Sequence, residues 1–217
     1  MDYELARHLM IEQQIRPWEV LDPTVLALLG KVRREDFVPP VYRSLAFVDT
    51  AIPLGHGETM WEPKVEARVL QSLAIAPHER VLEVGTGSGY FTALLASQAA
   101  AVVSLDLQAE FTAEADRKLK AHGIENVHCK TGDAARDWAE DGNFDVIVLT
   151  ASSPLLPEAF LARLNPGGRL FAIVGEGPAM QATLVTRIAP GAHRDAVLFE
   201  TNVKALSHAL TPERFVF

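Results

Sequence analysis

A glycine-rich run beside an acidic residue is the part of this chain whose residue types and spacing best suit ligand binding. The run consists of Gly85, Thr86, Gly87, Ser88 and Gly89, and Glu83 precedes it by two positions. Glycine lacks a Cβ, so the backbone can approach a ligand closely. In the dinucleotide pattern G-x-G-x-x-G, the corresponding turn holds a pyrophosphate at a helix N-terminus. Here the third glycine comes one residue earlier and a carboxylate is present, which together favour a ligand with a cationic amino-acid group.

Three more predicted strand ends carry polar or small residues. They are Asp106 with its neighbour Leu107, Asp133 with Ala134, and Thr150. Asp106 can accept hydrogen bonds from both hydroxyls of a ribose, and Asp133 can accept one from an adenine amine. The small residues that begin at Thr150 leave room for reacting groups. Each feature alone has an ordinary structural interpretation, as a helix cap, a turn residue or a loop.

The four strand ends become informative when they are taken together. Open α/β sheets bind ligands at the carboxyl ends of their strands, so all four lie at one edge of the predicted sheet. A ligand with an ammonium group, a ribose and an adenine, but no phosphate, matches them in order. We therefore predict S-adenosyl-L-methionine rather than a nicotinamide cofactor, with S-adenosyl-L-homocysteine as its product. The histidines and the single cysteine have no metal-ligand spacing, so no metal site is expected.

The elements that must position these residues follow from alternating apolar runs and helical periods. Strands are predicted at 80–84, 102–106, 126–129, 144–150, 168–174, 182–189 and 196–202, and helices at 89–98, 109–122 and 156–164. This alternation predicts an α/β, Rossmann-like fold with a mostly parallel sheet buried on both faces. The short break at 190–192 favours a C-terminal antiparallel hairpin, because a parallel return needs a longer crossover.

The first part of the chain has a different pattern. Residues 1–47 have helical character, and Asp22 followed by Pro23 is typical of a helix start. Residues 48–62 lack a clear period and predict a loop, after which Pro63 opens a helix. We therefore divide the chain into an N-terminal helical extension with a loop at the donor and acceptor site, residues 1–62, and a Rossmann-like methyltransferase domain, residues 63–217. Arg33 and Arg34 are expected to form a solvated face.

The composition narrows the class of protein. Of the 217 residues, 48% are apolar and 22% are charged, which supports a sizeable core and argues against disorder. The net charge of −8 gives no general basic surface for nucleic acid or an anionic membrane, so neither is an expected partner. One cysteine, Cys129, cannot form an intramolecular disulfide, which favours a reducing, cytoplasmic location. The composition leaves a monomer and a small homo-oligomer both open.

Longer motifs carry a resemblance to a known family. They are Arg33–Pro39, Ile52–Thr59, Val81–Tyr90, Phe144–Pro154 and Leu164–Leu170. These segments resemble, in order, the P-R-E-x-F-V-P, L-P-I-G-x-G-Q-T, V-L-E-I-G-T-G-S-G-Y, F-D-x-I-x-V-T-A-A-A-P and L-x-P-G-G-R-L motifs of protein-L-isoaspartate O-methyltransferases. The resemblance implies a class I methyltransferase fold and methylation of the α-carboxylate of isoaspartyl residues in damaged proteins or peptides. It also implies S-adenosyl-L-methionine as the methyl donor.

The chain departs from this family where the acceptor is expected to bind. The family reads I-S-Q-P after G-Q-T, whereas Trp61 here stands in place of the serine and Glu58 in place of the first glutamine. Indole is large and donates only through Nε1, so it does not reproduce a hydroxyl. Thr59 is retained. The resemblance therefore implies a substrate-binding role for His56, Thr59 and Trp61, with the hydroxyl of Thr59 as the catalytic group.

These departures leave three functions open. The first is isoaspartyl methylation by a divergent enzyme in which Thr59 or backbone amides orient the carboxylate. The second is a methyltransferase with a different small-molecule or macromolecular acceptor. The third is a protein that binds the cofactor with little turnover, an alternative that Trp61 keeps open.

Overall fold

A computed structural model describes residues 2–136, 142–189 and 191–212 of the protein. Residues 1, 137–141, 190 and 213–217 lie outside the described residues. They include parts of the predicted domain 63–217 and the first residue of the predicted break at 190–192. The described residues form an N-terminal helical region, a small two-stranded hairpin and a seven-stranded α/β sheet.

The N-terminal region is helical, as predicted, and its helices are short. Helices α1, α2 and α3 cover Tyr3–Met10, Pro23–Lys31 and Arg34–Phe37, with a π-helical turn at Ile11–Ile15 and 3-10 turns at Arg16–Trp18 and Pro40–Leu45. The predicted start of α2 is confirmed, because Asp22 Oδ1 accepts hydrogen bonds from the backbone N–H of Thr24 and Val25 at 2.8 and 3.1 Å.

The segment that was predicted as a loop contains a β-hairpin instead. Strands β1, Ile52–Gly55, and β2, Glu58–Met60, pair in antiparallel fashion. His56 and Gly57 form the two-residue turn and have φ angles of 53° and 72°. Positive φ at both central residues is the pattern of a type I′ turn, which matches the twist of the strands that it joins. The prediction of a loop over 48–62 is therefore wrong for these two strands.

The main sheet confirms the predicted α/β architecture. Its strands are β3 Arg80–Val84, β4 Ala101–Asp106, β5 Val127–Thr131, β6 Phe144–Ser153, β7 Leu164–Val174, β8 Met180–Ala189 and β9 Ala192–Thr201. They lie in the order β5-β4-β3-β6-β7-β8-β9. The first five strands of this order pair in parallel, whereas β8 pairs antiparallel with both β7 and β9. The chain order reverses beside β3, which is the place where open α/β sheets bind ligands.

Within the described part of the chain, four helices accompany this sheet. They are α4 Pro63–Leu73, α5 Tyr90–Ala96, α6 Ala109–Ala121 and α7 Glu158–Leu161. Helix α6 is the longest in the described residues, at 13 residues. Within those residues, no helix is long and apolar enough to cross a membrane.

The core has two layers, one on each face of the sheet. Successive side chains of β3 point into different layers, since Val81 belongs to one layer and Leu82 to the other. The larger layer also contains buried residues of the N-terminal helices, such as Met10 and Phe37. The smaller layer contains Phe160 of α7. The N-terminal region therefore shares a core with the sheet, while the division of the chain at residues 62 and 63 stays a prediction.

Candidate active site

A pocket in the described residues opens at the carboxyl ends of β3, β4 and β6. The predicted site residues that line it are Thr59, Trp61, Gly85, Thr86, Gly87, Ser88, Asp106, Leu107, Asp133, Ala134 and Thr150. The hairpin β1–β2 and residues 203–207 also contribute to the lining of the pocket. Three predicted site residues, His56, Glu83 and Gly89, lie outside the pocket lining. The structure thus brings most of the predicted residues into one place.

Glycine is required at two positions of the glycine-rich turn for different reasons. Gly85 has a φ of 101°, and a Cβ there would lie 1.9 Å from Thr150 Oγ1. That hydroxyl donates to the carbonyls of Val84 and Gly85, each at 3.0 Å, and so ties the end of β6 to the turn. A Cβ at Gly89 would lie 2.8 Å from Ala115 Cβ on α6. Gly89, the third glycine, therefore lets the start of α5 pack closely against α6. It lies behind the pocket and not in its lining.

Asp106 is held with its carboxylate at the pocket wall. Its Oδ2 accepts from the backbone N–H of Gly87 at 3.0 Å, and its Oδ1 accepts from that of Gln108 at 2.9 Å. Burial raises the pKa of Asp106 above its ordinary value, against these backbone hydrogen bonds, and the charge of Glu58 adds to the increase. Each carboxylate oxygen has a second lone pair, so Asp106 can still accept hydrogen bonds from a ligand.

Glu83 lies behind the glycine-rich turn and is fully buried. Its Oε2 accepts from Thr92 Oγ1 at 2.5 Å and from Ser104 Oγ at 2.6 Å, and Ser104 Oγ also lies 2.6 Å from Thr86 Oγ1. Its Oε1 has no hydrogen-bond partner among the described residues. Burial raises the pKa of Glu83 to about 8, although the two hydroxyl groups oppose this change. Glu83 thus reaches the pocket through Ser104 and Thr86.

A segment after the last strand, Val203–His208, closes one side of the pocket, and we call it the closing segment. Its backbone pairs with the end of β6, because Ser152 N–H donates to the Lys204 carbonyl at 3.0 Å and Leu206 N–H donates to the Ser152 carbonyl at 2.7 Å. At its far end, His208 Nδ1 lies 2.6 Å from Asp133 Oδ2. The sequence analysis did not identify this segment, because its contacts are made with residues far away in the chain.

Trp61 forms part of the pocket floor and of the core. Its side chain is 8% exposed. Its ring centroid lies 5.5 Å from that of Phe91 on α5 and 6.1 Å from that of Phe171 on β7. Thr59, two residues earlier on β2, is exposed and also lines the pocket. The indole therefore turns towards the core. On β2, Thr59 presents an exposed hydroxyl at this part of the pocket.

Arg34 is an important residue that the sequence analysis placed wrongly. The prediction of a solvated Arg33–Arg34 face holds for Arg33, whereas Arg34 is fully buried. Its Nη2 donates to the Trp61 carbonyl at 2.6 Å, and its Nη1 forms an ion pair with Glu66. The guanidinium carbon lies 4.9 Å from the ring centroid of Tyr90. Arg34 thus fixes the backbone that carries Trp61, a long-range role that local polarity does not indicate.

His56 lies at the tip of the hairpin, outside the pocket lining. Its Nε2 lies 2.5 Å from Glu110 Oε2 on α6, and its ring meets that of Phe111 edge-on at 5.6 Å. These contacts hold the tip of the hairpin against α6. The predicted substrate-binding role of His56 stays a prediction.

The fold and the pocket together define a class of protein. A mostly parallel sheet, a glycine-rich turn after β3 and an acidic residue at the end of the adjacent β4 are the features of a Rossmann-like class I S-adenosylmethionine-dependent methyltransferase. The arrangement predicted from the sequence is confirmed at this level. Comparison with known proteins then identifies the family within this class.

The model of the protein-L-isoaspartate(D-aspartate) O-methyltransferase family matches residues 6–201. Protein-L-isoaspartate O-methyltransferase 1 of Anaeromyxobacter sp. is 44% identical over 163 residues, which cover 75% of this chain and 77% of that protein. Protein-L-isoaspartate O-methyltransferase 2 of Marinobacter nauticus is 37% identical and covers 90% of both chains. The chain therefore belongs to the protein-L-isoaspartate(D-aspartate) O-methyltransferase family.

A solved structure agrees with this assignment at the level of the fold. The structure is described as a protein-L-isoaspartate O-methyltransferase of Plasmodium falciparum in complex with S-adenosyl-L-homocysteine. It superposes with a TM-score of 0.78, over 96% of this chain and 99% of that chain, at 20% sequence identity. The likeness at this identity concerns the fold.

Proposed function

We propose that this protein transfers a methyl group from S-adenosyl-L-methionine to the α-carboxylate of isoaspartyl residues in proteins or peptides. The observation that carries the proposal is the meeting of two sets of residues in one pocket of a chain that belongs to this family. The residues at the ends of β3, β4 and β6 that we assign to the donor line the same pocket as Thr59 of β2 and Trp61, which directly follows this strand.

The pocket fits the donor in shape and in charge. Gly85 and Gly87 line the pocket, so a ligand bound there can lie close to the main chain of the turn. We assign the hydroxyls of the donor ribose to Asp106 and the adenine amine to Asp133. Among the described lining residues, carboxylates outnumber the single lysine, which suits a cationic ligand without phosphate. When bound, the donor supplies an electrophilic methyl group.

The protein's own task at the acceptor is to orient the carboxylate and to exclude water. A carboxylate is already ionised at neutral pH, so the reaction requires no general base. We assign to the Thr59 hydroxyl a hydrogen bond to one carboxylate oxygen, which leaves the other oxygen free to attack. Trp61 and its aromatic neighbours give this part of the pocket an apolar floor. Such positioning can contribute several kcal/mol, about 7 at the low end of measured effective molarities.

A paired-peptide assay tests the proposal. An isoaspartyl peptide and its aspartyl twin would be incubated with the protein and labelled S-adenosyl-L-methionine, and the labelled ester would be counted. We expect label on the isoaspartyl peptide alone. Transfer to neither peptide, together with calorimetric binding of S-adenosyl-L-homocysteine, would contradict the acceptor and leave the donor site intact. The absence of binding at millimolar ligand would contradict the donor site itself.

The alternatives are less well supported. Family membership over most of the chain favours isoaspartyl methylation above another acceptor or a protein with little turnover. Trp61, which kept the last alternative open, packs on Phe91 and Phe171 rather than across the face of Thr59. We also propose a cytoplasmic location, in keeping with the single Cys129, which cannot form an intramolecular disulfide.

A further inference from the structure

Lys204 is a charged residue of the pocket to which the proposed reaction has so far given no role. Within the described residues, it is the only lysine or arginine that lines the pocket. It belongs to the closing segment, and its Nζ forms an ion pair with Glu58 of β2 across the pocket rim. The sequence does not indicate that Lys204 and Glu58 form a pair, because 146 positions separate them in the chain.

The geometry of Lys204 combines a fixed backbone with a half-exposed side chain. Its carbonyl accepts from Ser152 N–H at 3.0 Å, which anchors the residue at the end of β6. Its side chain is 50% exposed, and that of Glu58 is 34% exposed. The ammonium group also lies near the hairpin turn, since a Cβ on Gly57 would be 3.6 Å from Lys204 Nζ. It therefore lies at the mouth of the pocket, beside the strand that carries Thr59.

The other charges of the pocket explain why a cation is needed there. The lining contains four carboxylates, those of Glu58, Glu66, Asp106 and Asp133. Glu66 is paired with Arg34 in the core, whereas Asp106 accepts from backbone amides. An anionic acceptor that enters this pocket is repelled by these carboxylates, and the ammonium group of Lys204 at the mouth of the pocket reduces that repulsion.

We propose that Lys204 binds the carboxylate of the incoming acceptor. When it does so, its ammonium group gives up the ion pair with Glu58 and pairs with the acceptor instead. This inference rests on the proposed function and names the group that recognises its substrate. Exposed ion pairs contribute little to stability, so Lys204 can change partner at small cost. An ammonium group contacts one carboxylate oxygen as a point charge, which leaves the second oxygen free to attack the methyl group. Glu58 thus competes with the substrate for Lys204.

The competition gives the two residues opposite effects on substrate affinity. Steady-state kinetics on an isoaspartyl peptide would compare the wild type with Lys204→Gln, Glu58→Gln and the double variant. Loss of one charge-assisted contact predicts that Lys204→Gln raises KM about tenfold with little change in kcat. Glu58→Gln is expected to lower KM several-fold. The double variant should resemble Lys204→Gln, because Glu58 acts through Lys204.

A matched control removes the same charge far from the pocket. Lys120 is 70% exposed and pairs with Asp116 at 2.6 Å on α6, so Lys120→Gln is expected to leave KM unchanged. Calorimetry with S-adenosyl-L-homocysteine should give equal affinities for the wild type, Lys204→Gln and Lys120→Gln, because Lys204 acts on the acceptor.

A purely structural pair predicts a different pattern. If the ion pair only tethers the closing segment, Lys204→Gln and Glu58→Gln will shift KM in the same direction and weaken S-adenosyl-L-homocysteine binding in parallel. Either result, or an unchanged KM for Lys204→Gln, would overturn the role of Lys204 while the wild type still methylates the peptide. A wild type that turns over no isoaspartyl peptide would instead overturn the proposed function and this inference with it.

Discussion

At the scale of single residues, Asp106 combines a structural and a binding role. Its two oxygens accept from the backbone N–H groups of Gly87 and Gln108 while the carboxylate faces the pocket. Replacing the carboxylate by an amide retains one acceptor oxygen and puts an NH2 group where the other oxygen accepted. Loss of a charge-assisted hydrogen bond costs about 1.5–3 kcal/mol.

Asp106→Asn is therefore expected to weaken S-adenosyl-L-homocysteine binding by roughly 10- to 100-fold, measured by calorimetric titration. Glu110→Gln provides a control, because Glu110 is 74% exposed on α6 and lies outside the pocket lining. Glu110→Gln should bind S-adenosyl-L-homocysteine with the same affinity as the wild type. Equal affinities for both variants would show that Asp106 makes no contact with the ribose.

Trp61 shows how a residue that replaces a polar group can become part of the core. Its indole is 8% exposed and packs against Phe91 and Phe171. Trp61→Ser removes most of this packing and leaves a cavity, so we expect a loss of about 3–5 kcal/mol in the free energy of unfolding, measured in urea. Trp61→Phe retains an aromatic ring and should cost clearly less. Equal losses of unfolding free energy for Trp61→Ser and Trp61→Phe would mean that packing of the aromatic ring does not cause the destabilisation.

At the scale of elements, the turn between β3 and α5 depends on its contact with the end of β6. A Cβ at Gly85 would meet Thr150 Oγ1 at 1.9 Å, whereas a Cβ at Gly55 would meet nothing within 4 Å. Both glycines have a φ of 101°. Alanine at either position carries the same type of backbone strain, of order 1–3 kcal/mol. The two positions differ in the collision with Thr150.

Gly85→Ala is therefore expected to destabilise the protein more than Gly55→Ala and to lower S-adenosyl-L-homocysteine affinity at least tenfold, a loss of about 1.4 kcal/mol or more. Thermal unfolding and calorimetry on both variants would measure the two effects. Equal effects of the two substitutions would contradict a special role for the contact between the turn and β6.

The same turn shows which parts of the fold could be predicted from sequence. Strands such as β3 and β4 were predicted close to their observed bounds, because a buried parallel strand is an apolar run that local sequence reveals. The hairpin β1–β2 was missed, since its strands have three and four residues and its turn uses a histidine at positive φ. The glycine-rich turn was recognised because its spacing is itself local.

The remaining site residues could not be predicted, because their roles depend on distant partners. Arg34 is buried through its contacts with Glu66 and with the Trp61 carbonyl, 32 and 27 positions away. Lys204 is placed by its pairing with the end of β6 and with the hairpin. Lys204 has no neighbouring pattern that distinguishes it from a solvated cation, and the motif that contains Arg34 does not show which distant partners bury its side chain. Only the arrangement of the chain brings these partners together.

At the scale of the whole molecule, one core layer joins the N-terminal helices to the sheet. Met10 and Phe37 belong to the same layer as Val81 and Tyr90. Loss of the native state therefore exposes buried groups from both regions together. Glu83 is such a group, because it is fully buried between β3, β4 and α5.

The pKa of Glu83 consequently links folding to pH. Burial raises this pKa from its ordinary value of 4.5 to about 8 in the folded protein. Between these two values the folded state holds a proton on Glu83 that the unfolded state has released. The contribution of this residue to stability is therefore fully present below about pH 4.5 and declines as the pH rises through 8, at up to about 1.4 kcal/mol per pH unit.

Glu83→Gln cannot release a proton and removes this dependence. The free energy of unfolding of the wild type minus that of Glu83→Gln is expected to fall between about pH 5 and pH 8, by up to a few kcal/mol, in urea titrations at each pH. Burial also raises the pKa of Glu66, but Glu66 is present in both proteins, so its effect largely cancels in the difference. The same difference for Glu12→Gln should stay flat, because Glu12 is exposed and pairs with Arg16, which stays charged across this range. A difference for Glu83→Gln that is equally flat across this range would mean that Glu83 is ionised in the folded protein, with its charge balanced by the hydroxyl groups of Thr92 and Ser104.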